Sequence, residues 1–425
     1  MSTEVIAPGT TWSGSHTFGA RGLVSPGTVA QLQEIVAREP RVRALGSRHS
    51  FTDLADTSGL LVSVDRFEGA DGKPRLVGPD RGVVRVPAGM RYGELAVWLE
   101  ERGRALANLA SLPHISVAGA VATGTHGSGV GNGSLATAVR ALELVDGRGE
   151  LVRLEADGAG SADFAGAVVG LGALGVVTHL ELQTEPSYDV VQVVHEGLVW
   201  SELEARVREI LDIAYSVSVF TRWVDEPDGS AARVWVKSRS GSPAVPGARP
   251  ADGPRHVIPG LDPTLTTEQL GRPGRWHERL PHFRLGFQPS RGQELQSEYL
   301  LPLDRAGDAL AALRSLADRI ASPLLVAEIR AVAADDLWLS GAYGVDTLAL
   351  HFTWRLDPEA VRGVLPAMEE RLLPLGARPH WGKLFAAGPT DLAPLYPRWG
   401  DFCALMSHYD PDGRFRNPWL DRYFS

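Results

Sequence analysis

Three pairs of side chains in the second half of the chain have types and spacing suited to chemistry: Gln296 with Glu298, Glu328 with Arg330, and His351 with Thr353. All lie in segments that read as strands, where period-two geometry puts each pair on one face and turns Leu295 with Tyr299, Ala327 with Ile329, and Phe352 with Trp354 to the other. The apolar face is expected to receive helices. The polar face has two readings, and alternation by itself favours a solvated antiparallel face. Composition tilts the other way. Arg, Glu, His, Gln and Thr, without a Lys/Glu-rich surface pattern, donate and accept at fixed geometry, as a site gripping several hydroxyls requires.

Three further segments carry candidates: Gly46-Ser-Arg-His49-Ser50-Phe51, Thr123-Gly124-Thr125-His126-Gly127 and Pro379-His380-Trp381-Gly382-Lys383. Each histidine alone is more often structural than catalytic. No H-x-x-x-H or H-E-x-x-H spacing occurs, so no metal site is expected. Gly170-Leu-Gly172-Ala-Leu-Gly175 spells the dinucleotide motif G-x-G-x-x-G, which needs a strand before it and a helix after it. Here Phe164 to Val169 reads as helix and Val176 to Leu182 as strand, the reverse order. The segment is expected to be a tight helix-to-strand turn, from which the backbone of Val176 or Val177 remains free to touch some other cofactor.

The elements that must position these residues change character near Pro186. Before it, a helix carries Val29, Leu32, Ile35 and Val36 and leads to a strand from Val42. Val83 to Val86 is a strand before a helix with Tyr92, Leu95 and Leu99 on one face, and Arg140 to Val145 with Glu150 to Leu154 flank Asp146-Gly147-Arg148-Gly149 as a hairpin. Between them Ala110 to Ser134 has little periodicity and is expected to wrap a ligand. After Pro186 the strand candidates are Tyr215 to Trp223, Val234 to Lys237, Glu294 to Leu300, Leu324 to Val332 and Thr347 to Trp354. One helix is expected after Asp304, carrying Leu310, Leu313, Ala317 and Ile320. Another starts with Asp357 as N-cap and Pro358 at its first position, with a kink at Pro366. Ser238 to Pro263 reads as a surface loop. This order suggests an α+β arrangement with helices on one sheet face.

Composition narrows the function classes. The 425 residues include 47 Gly and 29 Pro, about 18% of the chain, against roughly 12% in average usage, yet short of a disordered composition. Cys403 is the only cysteine, so an intramolecular disulfide, a thiolate zinc site and a Cys-ligated iron–sulfur cluster are excluded. A net charge of -9 without a run of Lys or Arg argues against nucleic acid or an anionic membrane as partner. No apolar stretch is long enough to span a bilayer and Met1 to Thr11 has no signal-peptide pattern, so a cytoplasmic protein with a small-molecule partner is expected, compatible with a monomer.

At these motifs the chain resembles the flavoprotein oxidases of the vanillyl-alcohol oxidase type, and among them the alditol oxidases. The matches run in order through nearly the whole chain: Gly46 to Phe51, Ala110 to Gly119, Thr123 to Gly133, Glu294 to Leu300, Glu328 to Arg330, His351 to Trp354, Arg378 to Lys383 and Asp410 to Asn417. The resemblance implies a two-domain FAD-linked oxidase fold of α+β class, with a PCMH-type FAD-binding domain and a cap whose antiparallel sheet is covered by helices. Residues 1–185 would form the FAD domain, 186–375 the substrate cap, and 376–425 a segment returning to the FAD domain.

FAD would be bound covalently, His49 being the attachment point to the flavin 8α-methyl. Ala44, Leu45, Gly46, Ser47, Arg48 and Ser50 would form the turn presenting backbone N–H groups to its pyrophosphate, with Arg48 standing where such proteins commonly have Gly. Ser111, Ser116, Gly119, Thr123, Gly124, Thr125, His126, Val177 and His380 match further flavin-contacting positions, and Gly127, Gly129, Gly131 and Gly133 fall in the same cradle. Glu328, Arg330 and Lys383 would meet as the catalytic group, with Ser111, Gln296, His351 and Thr353 along a polyol chain. The implied reaction takes a hydride from a terminal carbinol carbon to flavin N5, and O2 then yields hydrogen peroxide. Small Ala110 stands where related proteins control oxygen access. Two alternatives stay open: an aldonolactone oxidase or dehydrogenase of the same fold, and a polyol- or nucleotide-binding protein without turnover.

Overall fold

The apolar stripes of the later strands are long enough to carry several helices, and the chain places them on one side of one large sheet. The structure, a computed structural model, describes residues 4–78, 82–158, 160–286 and 293–425. Its first half opens with β1 (Gly22–Val24), α1 (Val29–Arg38), β2 (Val42–Ala44) and β3 (Leu60–Val62), whose strands form a parallel sheet in the order β1-β3-β2. Next come β4 (Arg75–Val77), β5 (Val83–Pro87), α2 (Tyr92–Glu100), β6 (Arg104–Ala105), α3 (Val117–Ala122), β7 (Val139–Val145), β8 (Leu151–Glu155), α4 (Ser161–Val168) and β9 (Val176–Gln183). These build an antiparallel sheet ordered β4-β5-β9-β7-β8, while β10 (Glu185–Pro186) pairs with β6. The expected helices and hairpin of this half are present, and the glycine motif at 170–175 is the helix-to-strand turn between α4 and β9. The segment 110–134 contains the short α3, which its sequence did not announce.

The second half adds β11 (Asp189–Leu198), α5 (Trp200–Leu211), β12 (Ser216–Thr221), β13 (Ala232–Ser238), β14 (Arg249–Pro250), β15 (Gly274–Arg275), β16 (Glu294–Pro302), α6 (Ala306–Arg314), α7 (Ala317–Ala321), β17 (Leu324–Val332), β18 (Thr347–Arg355), α8 (Pro358–Leu372) and β19 (Arg378–Pro379). Its nine strands form one antiparallel sheet, β14-β11-β13-β12-β17-β18-β16-β19, with β15 also on β11. Leu203, Val207 and Ile210 of α5, Leu310 and Leu313 of α6, and Val361, Leu365 and Met368 of α8 pack on Leu295, Tyr299, Ala327, Ile329, Phe352 and Trp354. That is the apolar face expected from alternation. The chain then returns: α9 (Pro389–Leu392), α10 (Trp399–Tyr409) and α11 (Pro418–Tyr423) bury Phe402, Met406, Trp419 and Leu420 in the cluster that holds Leu95, Val121 and Leu180 of the first half.

Several expectations are corrected. The single helix after Asp304 is two, broken at Leu316, whose backbone leaves helical geometry at φ -111° and ψ 11°. α8 is capped by Asp357, whose Oδ1 accepts from the Ala360 amide at 3.0 Å, but it runs on through Pro366. The N–H that proline lacks would have gone to the carbonyl of Arg362, which is on the exposed side and open to water. Neither β11 nor α5 was assigned: in β11 the fully buried Gln192 interrupts the apolar alternation of Val190 and Val194, whereas the helical spacing of Leu203, Val207 and Ile210 in α5 was present and overlooked. The stretch 238–263 holds only β14, and it is more than a surface loop, because His256, Val257, Ile258 and Leu261 line the main cavity.

One buried side chain ties the ends together. Arg43 on β2 donates to the carbonyls of Gly172 (2.7 Å), Phe415 (3.0 Å), Leu54 (2.6 Å) and Leu171 (2.9 Å), joining four segments distant in sequence. The two terminal nitrogens of Arg43 meet only neutral acceptors, and removing them strands all four carbonyls. Arg43→Met is expected to lower unfolding stability by about 3 kcal/mol or more. Arg38→Met, which loses only an exposed ion pair, should change it by less than about 0.5 kcal/mol. Calorimetric melting of the two variants checks the contrast, and equal melting temperatures would refute it.

Candidate active site

A cavity of about 800 Å³ lies between the polar face of the large sheet and the glycine turn after β2. Both the turn residues Ala44, Leu45, Gly46, Ser47, Arg48, His49 and Ser50 and the more distant Ser111, Ser116, Gly119, Thr123, Thr125, His126, Val177 and His380 line it. So do Gln296, Glu328, Arg330, His351, Thr353 and Lys383, beside Ala110. Of the residues singled out from the sequence for site roles, Gly124 does not line it, and its φ of 68° serves the turn after α3. Gly127, Gly129, Gly131 and Gly133 are also outside it. A side chain on Gly127 would strike Asn108 and Leu109, and one on Gly129 would strike Asn132 and Tyr215, so protein packing accounts for those two.

The turn is clamped to the segment before α3 by a reciprocal pair: the Ser47 amide donates to Ser116 Oγ at 3.2 Å and the Ser116 amide to Ser47 Oγ at 3.0 Å. Close approach requires both glycines here, since a Cβ on Gly46 or Gly119 would lie 2.6 or 2.7 Å from Ser116 Oγ. Arg48 adopts the left-handed backbone, φ 65°, that glycine takes most easily. Its guanidinium bonds to the Pro8 carbonyl at 2.5 Å, which helps to hold that conformation. The next ring, His49, stacks on Trp12 at 5.2 Å, and its buried Nδ1 has no hydrogen-bond partner. Burial pushes the His49 pKa down to about 4, so the imidazole is neutral.

On the sheet, register brings the polar pairs together. His351 on β18 is opposite Glu298 on β16 and Glu328 on β17, and Gln296 is opposite Thr353. The solvated-face reading is thereby excluded: Glu298 is 1% exposed, Glu328 4% and Arg330 4%. Glu298 accepts from Arg330 and, at 2.5 Å, from Lys383, with His126 Nε2 3.3 Å away. Arg330 and Lys383 do meet, but on Glu298. Glu328 instead accepts from His282 Nε2 at 2.8 Å and stands 3.7 Å from Arg330 Nε. Two carboxylates and two cations therefore balance in one buried group. Although burial opposes it, the charges of Lys383 and Arg330 hold the Glu298 carboxyl well below its usual range. Burial, reinforced by Lys383, holds His351 at about 4. Being neutral, His351 accepts from Lys383 at Nδ1 (2.8 Å) and its Nε2 lies 3.0 Å from Thr353 Oγ1.

Sequence reading put Glu298 on the right face but gave it no role, and it missed His282 altogether. The pairing with His351 follows from register between strands, which alternation within one strand does not reveal.

Comparison with known proteins decides the family. The model described as FAD binding domain matches residues 20–155, and that described as D-arabinono-1,4-lactone oxidase matches residues 289–423. An alditol oxidase of a Streptomyces species is 46% identical over 428 residues, 99% of each chain. The chain belongs to the alditol oxidases. More distant relatives are the L-gulono-1,4-lactone dehydrogenase of Mycobacterium tuberculosis, 29% identical, and the L-gulonolactone oxidase of Bos taurus, 26% identical, each covering 97% of both chains. The crystal structure of cholesterol oxidase from B. sterolicum shares the fold alone, with a TM-score of 0.76 at 15% identity over 100% of this chain and 97% of that one. The protein is thus an FAD-linked alditol oxidase family member with the two-domain FAD oxidase fold, and no described helix is long and apolar enough to cross a membrane. The residues fit FAD. The Gly46, Arg48, His49 and Ser50 amides make no hydrogen bond within the described residues, His49 offers an unpartnered nitrogen, and the cavity reaches from this turn to the ion cluster.

The buried histidines set a pH response. His282 and His351 ionise at about 4 in the fold, held down first by burial, against 6.5 unfolded. Above pH 6.5 neither state binds the extra protons. Between 6.5 and 4 only the unfolded chain does, so stability falls as pH falls, and the lowered carboxylates act in the same direction below about 4.5. From pH 7.5 to 5.5 these two histidines are expected to account for a loss of about 2–3 kcal/mol, and His49, also held at about 4, and His380, held well below its usual value, add to it in the same direction. Denaturant unfolding at the two pH values tests it, and equal stability would contradict the neutral histidines.

Proposed function

We propose that the protein oxidises the terminal primary hydroxyl of a polyol such as xylitol or sorbitol to the aldehyde, O2 being reduced to hydrogen peroxide. FAD, which the turn at 44–50 with Ser116 and Gly119 would hold, would supply the two-electron acceptor for the carbinol hydride, with oxygen as the final acceptor. The observation that carries the reading is the buried polar face: Arg330 and Lys383 converge on one carboxylate beside Gln296, Thr353 and Ser111, in the same cavity as the FAD turn.

The chain's own groups have separable tasks. Arg330 is held by one bond to Glu298 through one terminal nitrogen, while its buried Nε stands 3.7 Å from Glu328, so the donors of the other terminal nitrogen remain for a substrate oxygen. Lys383 uses two of its three N–H bonds on Glu298 and His351 and keeps the third. Both cations stabilise alkoxide character as the hydroxyl proton leaves, and a preorganised donor of this kind is worth roughly 2.7–4 kcal/mol. Glu328 holds the neighbouring hydroxyl, and Gln296, His351, Thr353 and Ser111 hold those beyond it. A lactone ring presents fewer hydroxyl donors to this row of partners, which favours an open-chain polyol.

His49 is the point of covalent attachment to FAD, supported by its neutral ring, unpartnered Nδ1 and place at the end of the glycine turn. Residues 1–185 with 376–425 hold the cofactor, and 186–375 form the substrate cap. The oligomeric state and cell compartment proposed are a cytoplasmic monomer.

Oxygen consumption is expected with xylitol, with peroxide formed in equal amount, and little with a sugar lactone; the reverse preference would replace the polyol by an aldonolactone. Arg330→Met should lower turnover at least ~100-fold, and near-normal turnover would remove Arg330 from the reaction centre. Flavin fluorescence should follow the protein through a denaturing gel, and His49→Ala should release the flavin on acid precipitation. Flavin retained by that variant would place the attachment elsewhere.

A further inference from the structure

Lys237, at 1% exposure the most deeply buried lysine described, belongs to β13 and does not line the cavity. Its ammonium donates to the Leu280 carbonyl, lies 3.4 Å from the Pro281 carbonyl, and reaches Nδ1 of His282 at 3.2 Å. Three N–H donors thus meet three acceptors. His282 does line the cavity, and its other nitrogen, Nε2, lies 2.8 Å from Glu328 Oε1. The ring cannot turn freely, because it is wedged edge-on between Phe220 (5.2 Å, 72°) and Trp235 (5.3 Å, 84°). The backbone is held as well: the His282 amide donates to the Ser111 carbonyl at 3.2 Å, and the Thr267 amide to the His282 carbonyl at 2.9 Å.

Burial lowers the Lys237 pKa to about 7 against the opposing charge of Glu328, so at pH 6 it is mainly an ammonium, which has donors only, and Nδ1 of His282 must then accept. Burial first, and then the charge of Lys237, keep this histidine at about 4, so the ring is neutral and has one proton to place. With Nδ1 accepting, that proton is on Nε2 and is donated to Glu328.

We propose that Lys237 is a positioning residue, which fixes His282 as the Nε2–H tautomer and through it turns Glu328 so that Oε2 is presented to a substrate hydroxyl. This rests on the polyol reading for the identity of the substrate, but the tautomer does not depend on it. Oε1 is occupied by His282, whereas Oε2 has no hydrogen bond to a described residue. Glu328, an acceptor only, favours the same tautomer from the other side of the ring; without the ammonium that restraint acts alone, and any ring that takes its proton at Nδ1 loses the bond to the carboxylate.

Two readouts on the flavin-loaded enzyme test this. In long-range 1H–15N spectra of histidine-labelled protein, the His282 signals are those lost in His282→Gln. They are expected to report the Nε2–H tautomer, to become mixed or Nδ1–H in Lys237→Met, and to return to Nε2–H in Lys237→Gln, which keeps a donor. A wild-type Nδ1–H tautomer at pH 6, or one unchanged in Lys237→Met, overturns the proposal; should Lys237→Met not fold, Lys237→Leu, which also lacks a donor, is read in its place. In steady-state kinetics with xylitol, Lys237→Met should lower kcat about tenfold. His282→Gln should lower kcat in its own right, and adding Lys237→Met to it should cost less than twofold more. An equal loss in both backgrounds would make Lys237 merely structural. If xylitol does not reduce the wild-type flavin, the polyol reading falls while the spectra still judge Lys237.

Discussion

The architecture depends on keeping charge buried at one point. Glu298 is surrounded by Arg330, Lys383, His126 and His351, and its ionised form survives there only because two cations are close and directed. An ion moved from water into such a place loses hydration worth several kcal/mol, which the opposing charges offset only at good geometry. Three central strands supply Glu298, Glu328 with Arg330, and His351, and the segment after β19 supplies Lys383. Register errors are therefore severely penalised, since a slip of one residue would put these charges among the tryptophans of the other face. The cluster defines the register as much as the register assembles the cluster.

The same strands carry two chemistries without mixing them. Phe352 and Trp354 stack at 5.2 Å in the helix-covered core, while His351 and Thr353, which alternate with them, line the cavity. The apolar face was legible in the sequence because alternation alone specifies it, and Leu295, Tyr299, Ala327, Ile329, Phe352 and Trp354 are all in that core. Whether the polar face was wet or buried was not legible. That depends on what covers it, and the cover comes from chain far away: Ser111, the loop at 256–261, and His282. Period-two reasoning also cannot see between strands, so Glu298 was grouped with Gln296 along its own strand when its partners are across the sheet.

The glycine turn shows the converse case, in which local residues carried most of the information. Gly46, Ser47 and His49 were identifiable from type and order, and the Ser47–Ser116 clamp explains why two separated glycines are needed. Arg48 is the exception. A non-glycine residue in left-handed backbone is held by its surroundings, here the Pro8 and Thr10 carbonyls that receive its guanidinium. Arg43 was not legible as an anchor, because its four acceptors are backbone carbonyls whose sequence positions carry no signal. Gly127, Gly129 and Gly133 lie outside the cavity for a related reason: glycine marks tight packing against protein as readily as packing against a cofactor.

A site held this rigidly suits a reaction in which charge develops at a single oxygen. Arg330 and Lys383 are already oriented by Glu298, so no reorganisation is needed when a hydroxyl loses its proton beside them. Had the cations been unpaired, burial would have driven the lysine to its neutral form, and it would have had no charge to lend. Had each been paired fully, no donor would remain for substrate. One carboxylate shared between two cations is the intermediate arrangement: it keeps both charged, and leaves the second terminal nitrogen of the arginine and one lysine N–H unspent. Glu328, tied at one oxygen to His282 and free at the other, follows the same rule. The site works through partial satisfaction, with each group held by one set of contacts and available through another.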